Sequence, residues 1–144
     1  MAIDSGTFNT RIIDSSTSNV TLNSTSSWST VLSTSNFTTG CLGWIRADLS
    51  LVHAYEAGAV NAKCRFLLND SNHSDEIQVF TQGIGGNKAF GAHNASWTWY
   101  NVGAGTYHVD VQMINIAGST TGITCYFHNG DTSLPDKLMV TYQA

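Results

Sequence analysis

The stretch that most constrains the fold is Val102–Ile116, VGAGTYHVDVQMINI. Behind two glycines the side chains alternate: Tyr107, Val109, Val111 and Met113 fall on one side, His108, Asp110, Gln112 and Ile114 on the other. A period of two over that length belongs to a β-strand with one face buried, because a helix repeats its face every three to four residues. The stretch reads as a central strand of a β-sandwich. Gly103 and Gly105 are expected to form the tight lead-in turn, where glycine accepts positive φ.

The same alternation recurs along the chain. In Cys41–Tyr55, Ile45, Ala47, Leu49 and Leu51 form an apolar face, and Trp44, Arg46, Asp48 and Ser50 the opposite one. Asn61–Leu68 points Ala62, Cys64, Phe66 and Leu68 inward, Gly122–His128 aligns Ile123, Cys125 and Phe127, and Lys137–Tyr142 aligns Leu138, Val140 and Tyr142. Trp28–Leu32, Ile77–Thr81 and Ser96–Tyr100 are shorter candidates. Turn formers separate them: NDSNHSD (69–75), the glycine-rich 82–94 and HNGDTSLPD (128–136). About eight strands with regular turn signals predict an all-β fold, a jelly-roll β-sandwich. The surface is carried by Ser, Thr, Asn and Gly, since only 11% of residues are charged. Those side chains compete with a helical backbone for its hydrogen bonds, which agrees with strands and turns.

Residues 1–27 differ from residues 28–144, the expected sandwich domain. The leader is rich in Ser and Thr and almost free of core formers; only Phe8, Ile12, Ile13, Val20 and Leu22 offer anchors. It is expected to be an extended N-terminal arm that gains order by strand addition on a partner.

Charge and motif spacing exclude several classes. A formal net charge of −4 with six Lys and Arg does not suit a phosphate-tracking surface, so no nucleic acid is expected. No apolar run reaches membrane-spanning length, and the first residues lack the basic and apolar segments of a secretory signal, so no membrane partner is expected either. Three widely spaced cysteines, Cys41, Cys64 and Cys125, show no metal spacing and read as buried thiols. Asp70, His73, Asp75 and Glu76 do not follow a calcium-loop spacing and read as a solvated acidic loop. GIGGNKAFG (83–91) lacks the Gly-Lys-Ser/Thr ending of a phosphate loop. The N-x-[ST] sequons at Asn19, Asn23, Asn36, Asn69, Asn72 and Asn94 follow from composition. No catalytic residues, metal or cofactor are expected.

Two sets of residues invite a binding role. Trp97 and Trp99 share a strand face and form a possible ligand-binding platform, although core packing is the stronger reading. Trp44 and Ile114 fall on the polar sides of their strands, and large apolar groups there mark a subunit contact. With Tyr107, His108, Asp110 and Gln112 they make up the expected subunit interface.

These features carry a family likeness. TTGCLGWIRADLSL (38–51), VGAGTYHVDVQM (102–113) and KLMVTYQ (137–143) resemble the tumour-necrosis-factor-like and complement-head-like trimeric jelly rolls of tailed-phage virion proteins. The resemblance spans roughly Trp28 to Ala144 and implies a homotrimer without catalysis. Within that group the expectation is a capsid decoration protein on the virion surface, made in the host cytoplasm, whose partner is the major capsid protein of a phage head. The alternative is the receptor- or glycan-binding tip of a fibre. A secreted lectin-like or hydrolytic sandwich is disfavoured by the absence of paired catalytic carboxylates.

Overall fold

The alternating stretches are strands in the computed structural model of the chain, which describes residues 9–16, 20–22, 27–55, 60–82, 89–115, 123–126 and 136–143. In order they are β1 (Asn9–Ser16), β2 (Val20–Leu22), β3 (Ser29–Ser33), β4 (Phe37–Thr39), β5 (Gly43–Tyr55), β6 (Val60–Leu68), β7 (Asn72–His73), β8 (Ile77–Gln82), β9 (Ala89–Val102), β10 (Gly105–Tyr107), β11 (Val109–Asn115), β12 (Ile123–Tyr126) and β13 (Asp136–Gln143). The chain is all-β: no helix occurs among the described residues, and none is long and apolar enough to cross a membrane.

Two antiparallel sheets make the sandwich. One runs β1-β13-β5-β9, with the short β12–β2 pair continuing from the far end of β5. The other runs β3-β11-β6-β8, with β7 beside the last residues of β6. The chain crosses repeatedly between the sheets and its first and last strands lie side by side, which is the order of a jelly roll. The β4–β10 ribbon stands apart from both sheets, and its Phe37 stacks on Tyr142 of β13 with ring centroids 4.5 Å apart.

The core lies between the inner faces. Ile45, Ala47 and Leu49 of β5 and Leu138 and Val140 of β13 meet Cys64 and Phe66 of β6 and Val109, Val111 and Met113 of β11, all essentially inaccessible. Each large side chain here contributes about 1.5–3 kcal/mol by leaving water. Where the ladder lacks a neighbouring strand, a buried hydroxyl stands in. Phe66 N donates to Ser74 Oγ at 2.9 Å, and Val109 N to Thr34 Oγ1 at 3.0 Å. Neither backbone group is left dry and unpaired.

Four expectations are corrected. First, Asn9–Ser16, placed in the leader by the sequence, is the first strand of the roll. It pairs with β13 over its whole length, setting Ile12 opposite Val140 and Ile13 opposite Met139. Val20 and Leu22 likewise sit opposite Cys125 and Ile123 of β12. The strand addition expected on a partner takes place within the chain, and the boundary at residue 27 falls inside the sandwich; Phe8 lies outside the described residues. Second, β9 begins at Ala89, so half of the glycine-rich stretch is strand; 83–88 lie outside the described residues. Third, the opening run is two strands. It breaks at His108, β10 pairs with β4, and only β11 is central, between β3 and β6. Fourth, the left-handed residue of the lead-in turn is Asn101, at φ 57°, and neither Gly103 nor Gly105 takes a left-handed φ. Gly105 matters for space instead, since a Cβ there would press on the Tyr107 ring at 3.2–3.3 Å.

Candidate functional site

Strand register builds the outward face of β9, β5 and β13. Alternation in β5 sends Trp44, Arg46, Asp48 and Ser50 away from the core, opposite to Ile45, Ala47 and Leu49. Directly opposed residues share a face, so the pairing of β5 with β9 lines up Trp44 with Tyr100, Arg46 with Thr98, Asp48 with Ser96 and Ser50 with Asn94. On the other edge β13 adds Thr141 beside Arg46, Met139 beside Asp48 and Lys137 beside Ser50. The result is four short rows across three strands, hollowed into an open trough of 790 Å³ that runs past Trp44, Asp48, Asn94 and Met139. A smaller hollow of 270 Å³ lies between Trp44, Arg46, Thr98 and Tyr100.

The chemistry of this face is apolar and nearly neutral. Tyr100 is 74% exposed, and Trp44 and Met139 are half-buried. Arg46 folds back on Asp48, with Nε 3.0 Å from both carboxylate oxygens and Nη2 2.8 Å from Oδ1. The two charges cancel within the face. Lys137 is the remaining charge on these rows, which otherwise present short hydroxyls and amides.

The opposite outward face, on β3, β11 and β6, is bonded to itself. Gln112 Oε1 accepts from Arg65 Nε at 3.0 Å and Nη2 at 2.8 Å, and Gln112 Nε2 lies 3.3 Å from Thr30 Oγ1. The Arg65 guanidinium also sits 4.4 Å over the Trp28 ring. Lys63 Nζ donates to Glu76 at 2.8 Å, which holds the Glu76 carboxyl below its usual range. Ser33 Oγ donates to Asp110.

At one end of this face a turn meets the start of β11. Asn69 and Asp70 both have positive φ, 50° and 61°, the signature of a type I′ turn and one that Asn and Asp tolerate. Asn69 grips the backbone of His108 from both sides. His108 N donates to Asn69 Oδ1 at 3.0 Å, and Asn69 N donates to His108 O at 3.2 Å. His108 Nε2 then lies 3.3 Å from Asp70 Oδ1 and 3.7 Å from Asp110 Oδ2. The hydrogen bond from His108 holds the Asp70 carboxyl below its usual range. Asp70, His108 and Asp110 are the described residues whose ligand atoms converge closely enough to hold a metal ion. Ser33 bonds to Asp110 rather than to the imidazole, so the arrangement is not that of an activated serine nucleophile.

The residues predicted as one interface do not form one. Trp44 points outward from β5, while Asp110, Gln112 and Ile114 point outward from β11 on the far side of the core, because both strands turn their intervening residues into the same interior. Asp110 and Ile114 are each only 7% exposed in the single chain, so they offer little surface to a partner. Tyr107 packs against the core beside Phe37 and donates to Gly103 O at 2.8 Å. Trp99 is a core residue and Trp97 is packed against the core, so neither is a ligand platform in this conformation. Tyr100, next to Trp99, takes the opposite strand face as alternation requires and is the exposed aromatic of the three. Of the cysteines, Cys64 is buried, which pushes its thiol up to about 12, and Cys41 is half-buried. The acidic loop does not act together, since Glu76 binds Lys63 and His73 Nδ1 faces Ser74 O.

No protein-family model matches the chain, and no curated protein matches it in sequence. Among solved structures, it is similar to the VP2 subviral particle of infectious bursal disease virus, with 11% identity and a TM-score of 0.49 over 99% of this chain and 40% of that one. The structure of the Gx strain of that virus gives 11% identity and a TM-score of 0.44 with the same coverage. Dimeric latent PorU from Porphyromonas gingivalis gives 11% and 0.44 over 95% of this chain and 13% of that one. The chain thus spans well under half the length of each. At 11% identity none of these likenesses bears on function.

Proposed function

We propose that the chain is a non-enzymatic virion structural protein, a homotrimeric decoration protein that binds the outer surface of a phage head. The observation that carries the reading is the outward face of β9, β5 and β13. It sets Trp44 and Tyr100 side by side, cancels Arg46 against Asp48, and fills the remaining rows mainly with short neutral side chains. Such a face gives up only weakly held water when covered, and a Tyr–Trp pair is the kind of anchor that dominates binding energy. Three copies closing head-to-tail would each bury this face on a neighbour. The likeness of Thr38–Leu51, Val102–Met113 and Lys137–Gln143 to trimeric phage jelly rolls supports both the three-fold state and the virion setting.

Sedimentation of the purified chain tests the assembly, and a mass near three times 15.5 kDa is expected. Electron microscopy of phage heads incubated with the labelled protein tests the site, with label expected on the shell. A monomer at all concentrations, or label confined to tails, would overturn the corresponding half of the proposal.

A second reading is a glycan-binding fibre tip, favoured by Trp44 on the 790 Å³ trough and its neighbour Tyr100 in the 270 Å³ hollow. Stacking on a sugar would fall to Trp44 and Tyr100. Glycan-array binding that disappears in Tyr100→Ala would select this reading over the first.

A further inference from the structure

We propose that Asp70, His108 and Asp110 form a binding site for a divalent cation of the zinc type. The donors come from three separate places, the β6–β7 turn, the β10–β11 junction and β11 itself, and they converge on one point.

The spacing is that of a ligand shell. His108 Nε2 stands 3.3 Å from Asp70 Oδ1 and 3.7 Å from Asp110 Oδ2, and all three ligand atoms lie within 4.8 Å of one another. A tetrahedral zinc ion, with ligands at about 2.0–2.1 Å, separates neighbouring donors by roughly 3.4 Å. Two edges of the triangle already match that figure to within a few tenths of an ångström. The third closes by a rotation of Asp70, whose side chain is 75% exposed.

Asp110 is the most buried of the three, its side chain only 10% exposed, with Oδ2 3.7 Å from the imidazole nitrogen. Oδ1 is fixed by the Ser33 hydroxyl, the kind of outer-shell hydrogen bond that orients a ligating carboxylate. The imidazole is oriented too, because Asn69 clamps the His108 backbone.

Charge argues in the same direction. Two carboxylates and an imidazole converge here. The nearby cations on this face are committed elsewhere, Arg65 to Gln112 and Lys63 to Glu76. One nitrogen and two oxygen donors suit zinc and its neighbours better than calcium, which takes six to eight oxygens. Three protein ligands leave a fourth position for water.

The test is titration of the full chain with Zn²⁺ by calorimetry, and with Co²⁺ followed by its visible absorption. One equivalent per chain is expected, with a tetrahedral Co²⁺ spectrum. Asp70→Asn, which keeps a side chain that tolerates the left-handed turn, and His108→Gln should each weaken binding by at least about tenfold. His73→Gln, on the adjacent strand, should leave it unchanged. Absence of Zn²⁺ binding to the wild-type chain would overturn the proposal, as would binding that survives both Asp70→Asn and His108→Gln. Thermal melts of each variant without metal separate loss of the site from loss of the fold.

Discussion

The two outward faces of the sandwich are built on the same strand geometry and spend their polar groups differently. On β3, β11 and β6 the polar side chains bond to one another: Arg65 to Gln112 and over Trp28, Lys63 to Glu76, Ser33 to Asp110. On β9, β5 and β13 one ion pair cancels itself, Trp44 stands beside an open trough, and Trp44 and Tyr100 share a smaller hollow. A partner docking on the first face would have to break bonds already made, at about 1–3 kcal/mol for each group left buried and unpaired. On the second it would mainly displace water from rings and hydroxyls. The proposed assembly surface is therefore marked less by its hydrophobic residues than by the lack of internal commitments around them.

The largest effect should come from placing a charge on the uncommitted face. Tyr100→Glu is expected to raise the dissociation constant of the proposed trimer by about 100-fold or more, the scale of a central aromatic anchor lost. Urea unfolding of the dissociated variant should match the wild-type monomer, because Tyr100 is 74% exposed. Gln112→Ala, on the other face, should leave assembly untouched. If sedimentation gave the reverse pattern, the roles assigned to the two faces would be exchanged.

Both faces rest on one interior, and Cys64 reports on it. Burial pushes its thiol from 9.0 up to about 12. A raised thiol pKa favours the protonated form in the folded chain, so the associated stability is complete below about pH 9 and is lost as pH climbs towards 12. The decline is about 1.4 kcal/mol per pH unit within that window. Urea unfolding between pH 8 and 11 should show this slope, and Cys64→Ala should remove its share of it. An identical decline in wild type and variant would mean that the Cys64 thiol does not control alkaline stability.

A smaller change tests the committed face. Ser33→Ala takes away the hydroxyl that donates to Asp110. Since Asp110 is nearly buried while Ser33 is exposed, water can replace part of the lost bond. A cost of about 1 kcal/mol in chemical unfolding is expected, without change in assembly. A trimer that dissociates in this variant would bring the β11 face into the contact.

Much of this arrangement is legible in the residues, and the gaps have physical causes. Alternation places Ile45, Ala47, Leu49, Val109, Val111 and Met113 inward and Trp44 outward, because a strand's period of two allows no other outcome. The opening strand β1, NTRIIDSS, does not alternate. Among the described residues it pairs with β13 alone, and so is freer of the pattern that an interior strand must obey. The turn before β10 misleads because Asn101 takes the left-handed conformation offered by two nearby glycines. Register is the harder loss. Nothing local sets Tyr100 beside Trp44, or brings Asp70 to His108 across 38 positions; those meetings are made by strand pairing. Gathering Trp44 and Ile114 into one interface failed for the same reason. Alternation tells which side of its own strand a residue takes, and leaves open which of two sheets that strand joins.

The subtlest expected effect lies in the Arg46–Asp48 pair, where the distinction between folding and assembly is sharpest. The pair has bidentate geometry, yet the side chains are 51% and 28% exposed. Such pairs contribute little to folding and are screened by salt, so Asp48→Asn should leave the unfolding midpoint of the monomer unchanged. In an assembled trimer the consequence differs. Asparagine cannot neutralise the guanidinium, and a cation would be carried into the covered trough beside Trp44 without its counter-charge. The variant should therefore assemble more weakly than wild type, by less than Tyr100→Glu does, and its assembly should improve as salt is added while that of wild type stays level. Urea unfolding and sedimentation on the same preparation decide the matter. A lowered unfolding midpoint with unchanged assembly would make the pair a folding element and take neutrality out of the description of this face.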